Sequence, residues 1–202
     1  MSDQEEITKP SWFRAIIRGK TRIVLAWLFA TALIISAKQY PKWHGILVCF
    51  TGASLRFWAS GYLRKDAYPA VGGPYSFVRN PLYLGTYLMA IGTALSIESW
   101  LLTLVLSVIF ATVYHYIILD EETKLRAVFS NSYDIYLASV PRLIPTLAPA
   151  GRETLLKINP NVSMHGFSLE LALKNRAYEA YASFAGLIGF VALVAYIRNL
   201  WL

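Results

Sequence analysis

The sequence predicts an all-α fold: an integral membrane helical bundle of about five transmembrane helices, with the longer connections on the cytosolic side. Three observations carry that expectation. Of the 202 residues, 56% are hydrophobic and 15% are charged, against about 25% charged in an average soluble domain. The apolar residues gather in stretches nearly free of charge, at about 23–38, 43–63, 81–97, 99–119 and 179–198. The basic residues collect on alternate sides of those stretches, which is the pattern of chains threaded through a bilayer.

Residues 1–22 read as a polar tail ending in a possible interfacial helix, because Trp12, Phe13, Ile16 and Ile17 are interleaved with Arg14 and Arg18. Residues 23–202 then form one domain. The first stretch is short for a span of roughly 17–25 residues, but Arg22 and Lys38 can snorkel and extend it. A signal peptide is the rival reading. Against it, the apolar run exceeds the usual core of about 7–15 residues, and no small-residue cleavage site follows. The second stretch carries Arg56 about two turns from its cytosolic end. The third opens at Asn80-Pro81, a strong helix start, since Asn accepts orphan backbone N–H groups and Pro suits the first helical position. Glu98-Ser99 alone joins the third and fourth stretches, which predicts an antiparallel helical pair.

Beyond Leu119 the helical pattern continues, with Leu125, Phe129, Tyr133 and Tyr136 on one face. It reads as the fourth helix leaving the membrane, stopped before Pro141 and Pro145. Residues 146–166 read as loop, 168–176 as a short helix, and the last stretch as the closing span. With the N-terminus in the cytosol, the opposite side holds only Lys38, Lys42 and Arg198 among the Lys and Arg residues. The net charge of +7 then belongs to lipid headgroups; no basic helix or nucleic-acid module accompanies it. Cys49 is the single cysteine, and no Cys/His cluster offers a metal site. Ala182 and Gly186 are one small-residue pair, weak evidence for helix association, and the oligomeric state stays open.

The chemistry-bearing residues crowd the cytosolic side. The stretch Gly72-Gly73-Pro74-Tyr75-Ser76-Phe77-Val78-Arg79-Asn80-Pro81 runs from a stiff polar loop into a helix. A helix start beside Arg79 suits a carboxylate or phosphate, and Tyr75 and Tyr83 add aromatic faces with hydroxyls. Asp120-Glu121-Glu122 closes the fourth stretch. These acids either make i,i+4 pairs with Lys124 and Arg126 or turn one carboxylate toward the loop, to meet a cationic ligand or a hydroxyl. Arg56 either snorkels or pairs with Glu121 or Glu122. His115, seven residues before Glu122, shares its helix face. Arg142 sits on the turn after the amphipathic helix.

Two ordered motifs carry a family resemblance. The pattern Gly73-Pro74-Tyr75…Val78-Arg79-Asn80-Pro81-Leu82-Tyr83…Gly85, followed by Glu121-Glu122…Leu125…Phe129…Tyr133…Tyr136…Val140-Pro141-Arg142…Pro145, resembles the membrane-integral methyltransferases. That superfamily includes isoprenylcysteine carboxyl methyltransferases and phospholipid N-methyltransferases. Leu55-Arg56-Phe57-Trp58-Ala59 and Asn175-Arg176…Tyr178-Glu179-Ala180 are similar to segments of bacterial members. The chain departs from the pattern at Asn80, where many members carry His, at Ser130, where Gly is usual after Phe129, and at Ala177.

The resemblance implies methyl transfer from S-adenosylmethionine to a lipophilic carboxylate, amine or thiol at the cytosolic face of a multi-pass membrane protein, in a bacterial inner membrane. It implies Gly73, Pro74, Tyr75, Val78, Arg79, Asn80, Pro81, Tyr83, Gly85, Glu121 and Glu122 around the cofactor. Glu121, Glu122 and Arg142 are the expected catalytic residues, and Arg56, His115, Tyr133 and Tyr136 the expected acceptor-side residues. No metal and no nucleic-acid partner is expected. Two rivals stand beside this reading: a sterol-reductase-like membrane oxidoreductase, and a non-catalytic scaffold that keeps the fold.

Overall fold

The structure is a computed structural model that describes residues 19–64, 68–164 and 166–200. The interfacial helix expected in the N-terminal tail lies outside the described residues. All regular structure among them is helical: α1 (Gly19–Ser36), α2 (Trp43–Ser60), a 3-10 turn (Gly73–Ser76), α3 (Pro81–Ser96), α4 (Trp100–Phe129), α5 (Asn131–Ser139), α6 (Arg152–Ile158), α7 (Leu169–Lys174) and α8 (Tyr178–Leu200). Helices α1, α2, α3, α4 and α8 occupy the apolar stretches. Two of them, α4 and α8, are long and apolar enough to cross a membrane by length and composition.

Helices α2 and α3 form the tightest pair, and glycine makes it so. A Cβ on Gly45 or Gly92 would meet backbone atoms of the facing helix at under 3.0 Å, and so would one on Gly52. A Cβ on Gly85 would meet the Gly52 carbonyl oxygen and the Arg56 side chain as closely. Both helices therefore carry glycines seven residues apart along one seam, close to two helical turns, so the backbones touch where side chains would otherwise hold them apart. Cys49, Ala53 and Met89 fill the remaining seam together with Ala180 of α8. Rings then lock α8 to α2: Phe50 meets Tyr181 and Phe184, and Phe57 meets Tyr181, with centroids 5.4–5.8 Å apart.

The end of the bundle away from the loop at 64–80 closes on backbone groups. Lys42 N–H donates to the Ser96 carbonyl at 2.7 Å. Arg198, near the end of α8, donates to the carbonyls of Ile34, Ile35 and Ala37 at 3.2–3.4 Å. These are the orphan acceptors of the α1 C-terminus, where a cation is favoured. Leu33, Ala37, Ala94, Ile97, Leu102 and Val191 pack beneath them as one cluster.

Helix α4 contains a π-helical segment, Phe110–Tyr114, between its two α-helical parts, Trp100–Ile109 and His115–Phe129. The expected antiparallel pairing of the third and fourth stretches holds along the first part, which packs on α3. Two expectations about the opposite end need correction. The helix does not run on through Tyr136. It breaks at Ser130, at φ +48°, and restarts as α5. The bend folds Tyr133 and Tyr136 back onto Val71, Val140 and Ile158 in a second buried cluster, whereas a straight helix would have held both rings in water. Nor is 146–166 all loop. It contains α6, whose Leu155 and Ile158 join the same cluster, and a 3-10 turn at Val162–Met164. Seven residues between Gly151 and Asn159 were too few to reveal a periodic face.

Candidate active site

The loop before α3, the end of α4 and the turn after α5 meet at a buried carboxylate. Glu122 is 6% exposed. Arg79 donates to its Oε1 from Nε at 3.2 Å and from Nη2 at 3.0 Å. Arg142 donates from Nε at 3.2 and 3.1 Å to the two oxygens, and from Nη2 to Oε2 at 2.8 Å. Arg79 also gives Nη1 to the Leu137 carbonyl at 2.7 Å and to that of Val140, and its own N–H to the Pro141 carbonyl at 2.9 Å. Asn80 stands at the N-cap position of α3, yet its side chain does not cap the helix. Its Nδ2 donates to the Arg142 carbonyl at 3.1 Å. The polar residues of both motifs thus bind each other, zipping residues 76–80 to 137–150 with further bonds from Thr146 N–H to Phe77 and Ala150 N–H to Ser76.

This network walls a cleft of about 160 Å³ lined by residues 63–64, 68–70, 75 and 79–83, the end of α4, and Tyr133 and Tyr136 of α5. Glu121 faces it. Neighbouring residues on a helix point about 100° apart, so with Glu122 turned to the arginines, Glu121 is the acid presented to the cleft. Two polar atoms of cleft-lining residues are buried without a hydrogen-bond partner: Arg64 Nε and Tyr75 Oη. The Tyr75 backbone is fixed, its carbonyl accepting from Tyr136 Oη at 2.8 Å. Burial pushes the Tyr75, Tyr133 and Tyr136 hydroxyls well above the ordinary tyrosine range, and nearby carboxylates or phenols add to the shift. All three are neutral phenols. Asn159, 3% exposed, holds the opposite wall by donating to the Pro69 carbonyl at 3.1 Å. Asn175 receives a structural role too: its amide donates to the carbonyls of Ser60 and Leu63, at 2.9 and 2.8 Å, and closes the C-terminus of α2.

A second cavity of about 410 Å³ adjoins the cleft where the second part of α4 leaves α3, and is lined by Arg56, Leu82, Tyr83, Thr86, Tyr114 and Glu121. Leu82, Tyr83 and Glu121 belong to both spaces. Arg56 does not pair with a carboxylate. It donates to the Leu82 carbonyl at 3.2 Å and to the Thr86 hydroxyl. The π-helical segment widens the turn just before this cavity, a distortion that recurs at functional sites. It stacks Phe110 on Tyr114, 4.4 Å between centroids, and brings Tyr114 edge-on to Tyr83 at 5.5 Å.

Of the residues expected from sequence, Tyr75, Arg79, Asn80, Pro81, Tyr83, Glu121, Tyr133 and Tyr136 line the cleft, and Arg56 lines the adjoining cavity. Glu122 and Arg142 stand behind the wall, bound to each other. Gly85 meets Arg56 and Gly52 in the helix seam, and Gly73 takes φ +55° against the Tyr62 ring. Pro74 and Val78 are buried in the loop. His115 is exposed, sets its ring edge-on to Tyr116 at 5.5 Å, and lines neither space. Sequence reasoning missed Arg64 and Tyr68, whose place in the cleft depends on how the long loop folds back. The stripe of Leu125 and Phe129 was visible as an amphipathic face, and it lines the cleft.

Comparison with known proteins agrees with this architecture. Residues 42–132 match the family described as phospholipid methyltransferase. The chain is 30% identical over 160 residues to the protein-S-isoprenylcysteine O-methyltransferase of Schizosaccharomyces pombe, covering 68% of each. It is 30% identical over 139 residues to the cobalt-zinc-cadmium resistance protein CzcN of Cupriavidus metallidurans, covering 64% of each. A third relative, the nickel-cobalt-cadmium resistance protein NccN of Alcaligenes xylosoxydans xylosoxydans, is 28% identical over 136 residues, 66% of this chain and 59% of that protein. The chain thus matches between 59% and 68% of the length of these curated relatives. No solved structure matches. The described residues form an all-helical fold with two membrane-length helices and two motif segments closed over one cleft, the class of a helical membrane protein. Together with these relatives, it places the chain in the membrane methyltransferase superfamily of phospholipid and isoprenylcysteine methyltransferases.

Proposed function

We propose that this protein transfers a methyl group from S-adenosylmethionine to a lipophilic acceptor at the cytosolic membrane surface. The observation that carries the reading is the shared wall: a cleft bordered by Arg64 and Glu121 and a cavity between helices meet at Leu82, Tyr83 and Glu121. The residues present suit the cofactor. The cleft is lined by aromatic side chains, the Glu121 carboxylate and Arg64, whose Nε has no partner among the described residues. Among the described residues of the cleft, Arg64 is the cation left to hold a carboxylate, because Arg79 is committed to Glu122 and to backbone carbonyls. Glu121 holds an ammonium or a ribose hydroxyl. S-adenosylmethionine, when bound, supplies the electrophilic methyl and leaves as a neutral thioether.

The chain's own residues supply placement. Most of the gain in such a displacement comes from holding the nucleophile about 3–3.5 Å from the methyl carbon and in line with the bond that breaks. Arg56 and Thr86 orient an acceptor in the inner cavity. A carboxylate acceptor attacks without losing a proton, whereas an amine or thiol gives its proton to Glu121. Glu122 and Arg142 act by fixing the wall against which this happens. The acceptor enters from the bilayer between α3 and α4. The five helices α1, α2, α3, α4 and α8 serve as spans of a multi-pass protein of a bacterial inner membrane, N-terminus in the cytosol, in line with the Lys and Arg distribution.

Titration calorimetry of the detergent-purified protein with S-adenosylmethionine and with its demethylated product tests the reading, followed by transfer of a labelled methyl group into extracted membrane lipids. Binding of both ligands together with label in the lipid fraction is expected. A folded protein that binds neither overturns the proposal.

A further inference from the structure

Tyr75 is held in an unusual state for so buried a side chain. It is 6% exposed, its backbone carbonyl is bonded to Tyr136, and its N–H donates to the Gly72 carbonyl at 3.2 Å. Its hydroxyl nevertheless has no hydrogen-bond partner among the described residues. A buried polar atom without a partner costs free energy, and natural structures pair nearly all such atoms. An orphan that borders a cleft is therefore a place where something outside the chain makes the contact.

Two charged residues act on the hydroxyl. They are Glu121 and Arg56, the two charged residues of the inner cavity. Arg56 lines that cavity alone, and Glu121 belongs to both spaces. Tyr75 lines the cleft, which shares the wall of Leu82, Tyr83 and Glu121 with the cavity, the place a group must cross to pass from one to the other. Burial and the Glu121 carboxylate hold it neutral, against the smaller opposing effect of Arg56. It is not a base. A neutral phenol offers oxygen lone pairs, which suit the positively polarised hydrogens of a carbon attached to a cationic sulfur.

We infer that the Tyr75 hydroxyl oxygen receives the C–H bonds of the transferable methyl group and aims that group through the shared wall toward the acceptor. The inference rests on the methyltransferase reading and deepens it. Tyr75 is then a contact to the reacting centre, chosen by its oxygen and not by its ring. The ring alone would serve equally as phenylalanine.

The test uses the full-length protein in detergent and the variant Tyr75→Phe, with three readouts. The first is thermal stability without ligand, expected to be unchanged or higher, because the deleted oxygen bonds to nothing among the described residues. The second is the ratio of Kd values for S-adenosylmethionine and its demethylated product. These differ only by the methyl and its charge, so losing one C–H···O contact should shift the ratio roughly two- to fivefold against the methylated ligand. The third is kcat with the acceptor saturating, expected to fall by at least the same factor, with KM for the acceptor unchanged. Wild-type protein that binds neither ligand sinks the methyltransferase reading itself. Wild-type binding with an unchanged Kd ratio in Tyr75→Phe overturns the inference alone. So does a change confined to acceptor KM, which would put the hydroxyl on the acceptor, and so does a loss of ligand-free stability, which would make it structural.

Discussion

Replacing Glu122 by glutamine should unsettle the wall of the cleft more than any other single-atom change in the chain. Its carboxylate accepts five N–H contacts within 3.2 Å from two guanidinium groups. The side chains of Glu122 and Arg79 are 7% and 8% exposed, and that of Arg142 is 34% exposed. Glutamine keeps one acceptor oxygen and turns an NH2 group toward a guanidinium. One arginine then loses its partner and both lose their counter-charge. Breaking a buried ion pair costs about 3–5 kcal/mol. Arg142 can recover water, and Arg79 retains the carbonyls of Leu137 and Val140, which places Glu122→Gln at about 3 kcal/mol, the lower end of that range. Glu121→Gln, at an exposed carboxylate with no ion pair among the described residues, should stay within about 0.5 kcal/mol. Denaturant unfolding in micelles measures both, and hydrogen exchange at residues 77–80 and 137–142 reports whether the zipped segments part. A Glu122→Gln protein with the wild-type midpoint and wild-type exchange would refute the reasoning, as would a Glu121→Gln protein that loses as much.

Three further outcomes follow from the packing. Gly92→Ala forces a methyl into the Cys49 backbone and should cost about 1–3 kcal/mol or more, whereas Gly186→Ala, with nothing within 4 Å, should be neutral or slightly stabilising; equal thermal shifts for the two would contradict the seam. Ser130→Gly relieves a positive φ and should raise unfolding stability by about 1 kcal/mol, so a destabilised variant would show that the serine side chain matters there. The raised hydroxyls of Tyr75, Tyr133 and Tyr136 bind their protons more tightly folded than unfolded, where tyrosine titrates near pH 10. Their stabilisation is complete below about pH 10 and fades as pH climbs toward the folded values. Ultraviolet titration should find these tyrosines still protonated when exposed ones have ionised, and their ionisation near pH 10 in the folded protein would remove that contribution.

What could be read from the chain was whatever a single segment states about itself. The apolar stretches announced their helices, Asn80-Pro81 announced the start of α3, and Ser168 does cap α7, accepting from the Leu171 N–H at 3.2 Å. Properties of pairs were out of reach. Gly85 looked like part of a binding loop because its role appears only when Gly52 and Arg56 of α2 are set against it. Glu121 and Glu122 are interchangeable as letters, and only the positions of Arg79 and Arg142 decide which turns inward. Arg64 was one basic residue among several until the loop brought it beside the cleft. The break at Ser130 had one visible sign, a serine where the family pattern has glycine, and it marks the bend that brings Tyr133 and Tyr136 to the site.

Two helices that touch backbone to backbone leave no soft layer between them to slide or compress. Helices α2 and α3 are in effect one stiff plank, and Arg56 is mounted on it. Helix α4 joins that plank through Glu98, at φ +56°, and is itself interrupted by the wide turn at Phe110–Tyr114. Breathing of the space between Arg56 and Glu121 is therefore a swing of α4 about those two joints, so a cross-link from α2 to α3 would leave the motion untouched and one from α3 to the outer half of α4 would arrest it.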